Sequence, residues 1–188
     1  MRIALALIAA MALSASLGLA GCGRAQNVAA HNVASMALTS SAVGPDGAIA
    51  ARQSGYGENL SPPLAWTGVA GARSYAVILE DPDAPGPRPF LHWLIWNIPG
   101  GATSLPEGLP TLARPPSPPG AVQGGNDAGG TGYFGPKPPS GVHHYRFQVF
   151  ALDAPLELPG GAGRHALSDA MNGHVIAQGE LAGTFAAP

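Results

Sequence analysis

The stretch "EDPDAPGPRPFLHWLIWN", Glu80 to Asn97, places three carboxylates within four residues and a histidine at the head of an apolar run. Only 11% of the 188 residues are charged, so this concentration at one corner needs a chemical reason. A buried carboxylate is costly unless partnered, and a histidine beside it supplies the partner while acquiring a raised pKa. A second source of imidazoles is "VHHYRFQVFALD", Val142 to Asp153. Period two separates its adjacent histidines: His143, Tyr145, Phe147 and Val149 form an inward face, and His144, Arg146 and Gln148 a solvated outward one. Aspartates and histidines gathered in one place suit an anion that carries a proton, or a metal ion. Singly, each has a plainer reading, Asp81 as a turn cap and His92 or His143 as a core histidine bonded to a carbonyl.

These residues must be positioned by strands. In "RSYAVILEDPD", Tyr75, Val77, Leu79 and Asp81 share one face and Ala76, Ile78 and Glu80 the other. Both faces are apolar until the strand ends, as in a central strand covered on both sides, so Asp81 closes a buried face while Glu80 points away. Pro82 favours extended backbone at Asp81, which lets Asp83 point to the same side. "FLHWLIWNI" then returns antiparallel, with His92, Leu94 and Trp96 on one face and Trp93, Ile95 and Asn97 on the other. His92 thus starts its strand beside the place where Asp81 ends the other. Between Gly129 and Gly141, "GGTGYFGPKPPSG" is a loop whose glycines permit close backbone approach and whose composition suits an anion-holding nest of N–H groups. "HALSDAMNGHVI" has Leu167, Ala170, Met171 and His174 at helical spacing, which predicts a short helix with His174 in a structural role. The three tryptophans, Trp66, Trp93 and Trp96, belong to core or pocket wall.

Composition narrows the partners. A hydrophobic fraction of 46% with 27 glycines and 20 prolines describes one domain of short strands and long loops. A net charge of −2 without any Lys/Arg cluster excludes the electrostatic footprint of a nucleic-acid binder. No HExxH or GxSxG motif occurs.

The N-terminus reads as a targeting segment. "MRIALALIAAMALSASLGLAGC" has one early cation, Arg2, an apolar run, and small residues directly before Cys22, the one cysteine of the chain. That ending has the form of a bacterial lipoprotein processing site, with residues 1–21 the signal peptide, Cys22 the lipidated residue and residues 22–32 a tether to a domain over 33–188. The alternative is an uncleaved membrane anchor. With one cysteine, no disulfide forms within the chain. The location predicted is the bacterial cell envelope.

Five segments together, "DPDAP", "HWLIWN", "SPPLAW", "GGTGYFGPKPPSGVHHYRFQVFALD" and "AMNGHVIAQGELAGTF", resemble the phosphatidylethanolamine-binding protein family in its bacterial, Raf-kinase-inhibitor-like branch. The resemblance covers about Met36 to Phe185. It implies a mainly β, Greek-key antiparallel fold, a large central sheet packed on a smaller one with a short C-terminal helix, and a shallow cavity near the sheet's end that takes phosphate or phosphorylated headgroups. The matching lining positions are Asp81, Asp83, His92, Gly135, Pro139, His143 and Tyr145. Gly125, Ala128, Gly130 and His144 stand where the family commonly has basic or aromatic residues, and Lys137 is added, which implies a weaker or less charged ligand. Bacterial members suggest a homodimer. The sequence therefore predicts a lipid-anchored binding protein for a small phosphorylated or zwitterionic ligand, with no cofactor, metal or catalytic residue assigned. A metal-dependent hydrolase built on the Asp/His cluster is the alternative, and inhibition of a partner protease or kinase is suggested by the family label alone.

Overall fold

The computed structural model describes residues 33–188. The leader, Cys22 and the tether lie outside the described residues. The strands, in chain order, are β1 (Ala34–Ser35), β2 (Leu38–Thr39), β3 (Leu64–Trp66), β4 (Ser74–Asp81), β5 (Phe90–Pro99), β6 (Ser104–Leu105), β7 (Val122–Gln123), β8 (Val142–Leu152) and β9 (Val175–Ala186), with one helix, α1 (Arg164–Met171), before β9.

Two sheets result, a six-stranded one in the order β1-β9-β8-β4-β5-β7 and a three-stranded one in the order β2-β3-β6. Every pairing is antiparallel except the edge strand β1, which runs parallel to β9. The large sheet is therefore mixed at its margin and antiparallel through its centre.

All eight residues of β4 are buried. Alternation sorts them as expected of a strand covered twice. Tyr75, Val77 and Leu79 join Trp93, Ile95, Phe147 and Val149 in a cluster against Leu64, Trp66 and Leu105 of the small sheet. Ala76 and Ile78 join Leu94, Trp96 and Leu152 in a second cluster, under Leu167 and Met171 of α1. Trp93 and Trp96 are fully buried on opposite faces; truncating either to alanine costs about 3–5 kcal/mol at typical core values.

Helix α1 ends at Met171, and Gly173 follows at φ 82°, the left-handed geometry glycine supplies at helix ends. His174 consequently lies beyond the helix and not on its stripe, with Nδ1 2.7 Å from Asp153 Oδ1. Arg146 also departs from the solvated-face expectation. Glu80, on the α1 side of β4, is fully buried, and Arg146 from β8 and Arg164 from α1 both bond its carboxylate. These two cations make the burial of Glu80 tolerable and lock the helix to the sheet.

Candidate functional site

β4 ends at Asp81, β5 begins at Phe90 and β8 begins at Val142, so three strand ends meet at one end of the large sheet. There a cavity of about 280 Å³ is lined by Asp81, His92 and His143 together with Pro85, Phe90, Phe134, Lys137 and Pro139.

His92 reaches this cavity because β5 carries one residue more than β4 at the register shift between Leu79 and Glu80. Leu79 pairs with Trp93 and Glu80 with Leu91, which leaves His92 as the extra residue of a β-bulge. Strict alternation assigns His92 to the face of Leu94 and Trp96. The bulge turns Leu91 onto that face and brings His92 to the side of Tyr145, their rings 5.3 Å apart at 75°. Asp127 secures the bulge: its Oδ2 accepts a hydrogen bond from the Leu91 N–H at 2.8 Å while the carboxylate pairs with Arg88, whose hydrogen bonds, foremost among the causes, hold Asp127 below the usual carboxylate range. The only hint of this in the sequence is an aspartate in the otherwise small and polar "QGGNDAGG".

Asp81 is partnered by His143 and not by His92. Its Oδ2 lies 2.7 Å from His143 Nδ1, and its Oδ1 accepts from the Asp83 N–H at 2.8 Å. His92 Nδ1 donates to the Phe134 carbonyl at 2.7 Å, and its ring stacks on Phe134 at 5.7 Å and 9°. Burial, above all, lowers the His92 pKa, opposite to the rise expected of a histidine paired with a carboxylate. His92 is thus a neutral imidazole whose Nε2 lone pair is its remaining polar function.

The other expected residues fall into two groups. Pro139 forms the cavity wall, and Tyr145 lies buried beneath His92. Burial first, then the Asp81 carboxylate, pushes the Tyr145 pKa up, which keeps its hydroxyl protonated. Asp83 and Gly135 are not in the cavity lining. Asp83 is exposed and accepts from the N–H of His144 at 2.8 Å, with His144 Nδ1 at 2.6 Å. The His144 side-chain bond is the largest cause of the lowered Asp83 pKa. Gly135 is a packing position: a Cβ there would stand 2.0 Å from the Gln53 carbonyl oxygen. Its N–H donates to Asn59 Oδ1 at 2.7 Å, and the Phe134 N–H to the His92 carbonyl at 3.0 Å. The loop amides expected to form an anion nest are therefore engaged in holding the loop, at least at Phe134 and Gly135. What remains to meet a ligand is Asp81, the imidazoles of His92 and His143, and Lys137; Tyr145, like Asp83 and Gly135, is not in the lining.

A larger cavity of about 660 Å³ opens beside the start of α1. Its charged side chains are already paired, Arg88 with Asp127, Arg164 with Glu80 and His165 with Asp169. Among the described residues no three His, Cys, Asp or Glu side chains are grouped to hold a metal ion.

A family model described as phosphatidylethanolamine-binding protein matches residues 39–186. A UPF0098 protein of Methanothermobacter thermautotrophicus is 47% identical over 151 residues, which are 80% of this chain and 98% of that one. A Mycobacterium tuberculosis protein provisionally named a lipoprotein, LppC, is 38% identical over 131 residues, 69% of this chain and 61% of that one. The crystal structure of E. coli YbcL, described as a member of the mammalian PEBP family, superposes with a TM-score of 0.74 at 32% identity, covering 81% of this chain and 99% of that one.

Proposed function

Since the chain belongs to the phosphatidylethanolamine-binding protein family, we propose that it is a lipid-anchored envelope protein whose Asp81–His92–His143 cavity binds a small phosphorylated ligand, phosphate itself or a phosphorylated headgroup. The observation that carries this reading is the hydrogen-bonding character of the cavity lining. Asp81 and the Nε2 atom of a neutral His92 are acceptors, whereas Lys137 is a donor.

A phosphate monoester near neutral pH satisfies both kinds, because its second pKa lies near 6. Its P–OH donates to Asp81 or His92, and its charged oxygens accept from Lys137. The Asp81 carboxylate repels a fully deprotonated anion and welcomes one that keeps a proton. The apolar walls, Pro85, Phe90, Phe134 and Pro139, exclude water and strengthen these bonds.

The anchor half of the reading rests on Cys22 within the leader motif and on the name carried by LppC. Thermal denaturation with and without phosphate and phosphoethanolamine tests the cavity half. A ligand that binds the folded form alone raises Tm. Both compounds are expected to raise it in wild type, and His92→Ala and His143→Ala are expected to remove the rise. No shift in wild type with either compound contradicts the proposal.

A further inference from the structure

The β-bulge at Leu91 and His92 is held from outside its own strand pair. A bulge leaves its extra residue without ladder partners, and the freed backbone groups must be satisfied elsewhere. The segment from Asp127 to Phe134 satisfies them at both residues. Leu91 donates its N–H to Asp127 Oδ2 at 2.8 Å, and its carbonyl accepts from the Asp127 N–H at 2.9 Å. The His92 carbonyl accepts from the Phe134 N–H at 3.0 Å, and His92 Nδ1 donates to the Phe134 carbonyl at 2.7 Å. Asn126 braces this segment: its Oδ1 accepts from the N–H groups of Ala128 and Gly130 at 3.1 and 3.0 Å, and its Nδ2 donates to the Gly132 carbonyl at 2.9 Å. Arg88 orients the Asp127 carboxylate with a two-pronged contact at 2.6 and 3.0 Å.

We propose that Asp127 is a positioning residue for the ligand cavity, one that touches no ligand and turns His92 toward it by gripping both backbone groups of Leu91. Asp127 lies outside the cavity lining, and His92 lies in it. The physical alternative is a β5 that runs in regular register past Glu80. A shift of one residue moves a strand's side chains to the opposite face. His92 would then join Leu94 and Trp96 in the cluster under α1, and Leu91 would take its place at the cavity.

The grip works by the place of the oxygen more than by its charge. The Leu91 N–H is a neutral donor, so an uncharged oxygen at the same point serves it, whereas a carboxylate held at another point does not. The Arg88 side chain is 62% exposed, so its ion pair adds little stability of its own and acts by fixing the plane of the carboxylate. What His92 contacts in the cavity rests on the phosphate-binding reading above. The placement of His92 is read without any ligand.

The test uses the leaderless chain from Gly23 onward, which contains every described element and both core clusters. NMR of the imidazole N–H protons follows His92, whose Nδ1–H on the Phe134 carbonyl is expected to exchange slowly with solvent in wild type and to be assigned by its absence from His92→Asn. The Nδ1–H of His143 on Asp81 is the internal control. Asp127→Ala is expected to lose the His92 signal, keep that of His143, and bind inorganic phosphate about tenfold more weakly by calorimetry, the worth of one hydrogen bond to the ligand. Asp127→Glu keeps the charge and carries the carboxylate one carbon farther from Leu91. It is expected to show the same losses, and it covers the case in which Asp127→Ala does not fold. Asp127→Asn keeps an oxygen in place and is expected to restore the His92 signal and most of the affinity. A wild-type His92 signal in Asp127→Ala or Asp127→Glu, or an Asp127→Asn that loses as much as Asp127→Ala, overturns the positioning role. Joint loss of both histidine signals in every variant marks general loosening and overturns it as well. A wild type that binds no phosphate overturns the cavity reading, and the histidine signals alone then decide whether Asp127 places His92.

Discussion

Asp81 Oδ2 and His143 Nδ1 meet at 2.7 Å across the β4–β8 junction, and both side chains are almost wholly buried. The bond fixes the tautomer: Nδ1 donates to the carboxylate, and Nε2 is turned to the cavity's use. It also relieves a desolvated charge. His143→Leu removes the donor and leaves Asp81 buried without it, so stability measured by urea denaturation is expected to fall by about 1–3 kcal/mol. Asp81→Asn with His143→Leu is expected to recover part of that loss, because a neutral amide is cheaper to bury than an unpaired carboxylate. An unchanged midpoint in His143→Leu contradicts the pairing.

His92 gives a pH signature of definite sign. Its folded pKa lies below the ordinary imidazole value of about 6.5, chiefly through burial. Between the two values the unfolded chain binds the proton and the folded chain does not, so stability falls as pH drops through that window and is fully present above it. His92→Asn, whose amide can still donate to the Phe134 carbonyl, is expected to flatten this part of the Tm-against-pH curve. A curve of wild-type shape in the variant removes His92 as the cause.

The Glu80 clamp is a third point of test. Replacing both Arg146 and Arg164 by methionine strands a fully buried carboxylate and is expected to cost about 3–5 kcal/mol. Adding Glu80→Met to the pair is expected to restore most of the loss. If the triple variant is no more stable than the double, the arginines act by packing and not by charge.

On the proposed anchored reading, Cys22→Ser is expected to release the protein from the membrane fraction of a bacterial host, because a lipid on that cysteine would be the anchor once the apolar leader is cleaved. Membrane-bound Cys22→Ser of unchanged length points instead to an uncleaved helix.

Much of the site was legible because β4 obeys period two. Alternation placed Asp81 on a buried face, Glu80 on the opposite one and His143 inward, and the structure has them so. Alternation puts His92 on the wrong face because a bulge adds a residue without any residue type that announces it: Leu91-His92-Trp93 contains no glycine. Its cause is a contact distant in sequence, the Leu91 N–H on Asp127. Arg146 reads as solvated because a strand pattern carries no information on which outward cation finds a buried carboxylate on a neighbouring strand. Gly135 looked like a ligand-facing glycine, and only the packed segment around Gln53 shows why a side chain does not fit there. His174 was drawn onto the helix by its spacing, which continues past the residue where Gly173 ends it.

Whether Asp81 reads a proton on the ligand is tested by calorimetric titration of phosphate and sulfate at neutral pH into wild type and Asp81→Asn. The two anions are alike in shape, but sulfate has no proton to donate. One charge-assisted hydrogen bond, roughly 1.5–3 kcal/mol, corresponds to a preference for phosphate of about tenfold or more. Asp81→Asn is expected to erode that preference, because an amide can donate to either anion, whereas His92→Ala is expected to weaken phosphate binding by removing an acceptor. Sulfate binding wild type as tightly as phosphate, or a ratio unchanged in Asp81→Asn, contradicts the claim and leaves Asp81 as a capping residue of the turn that follows β4.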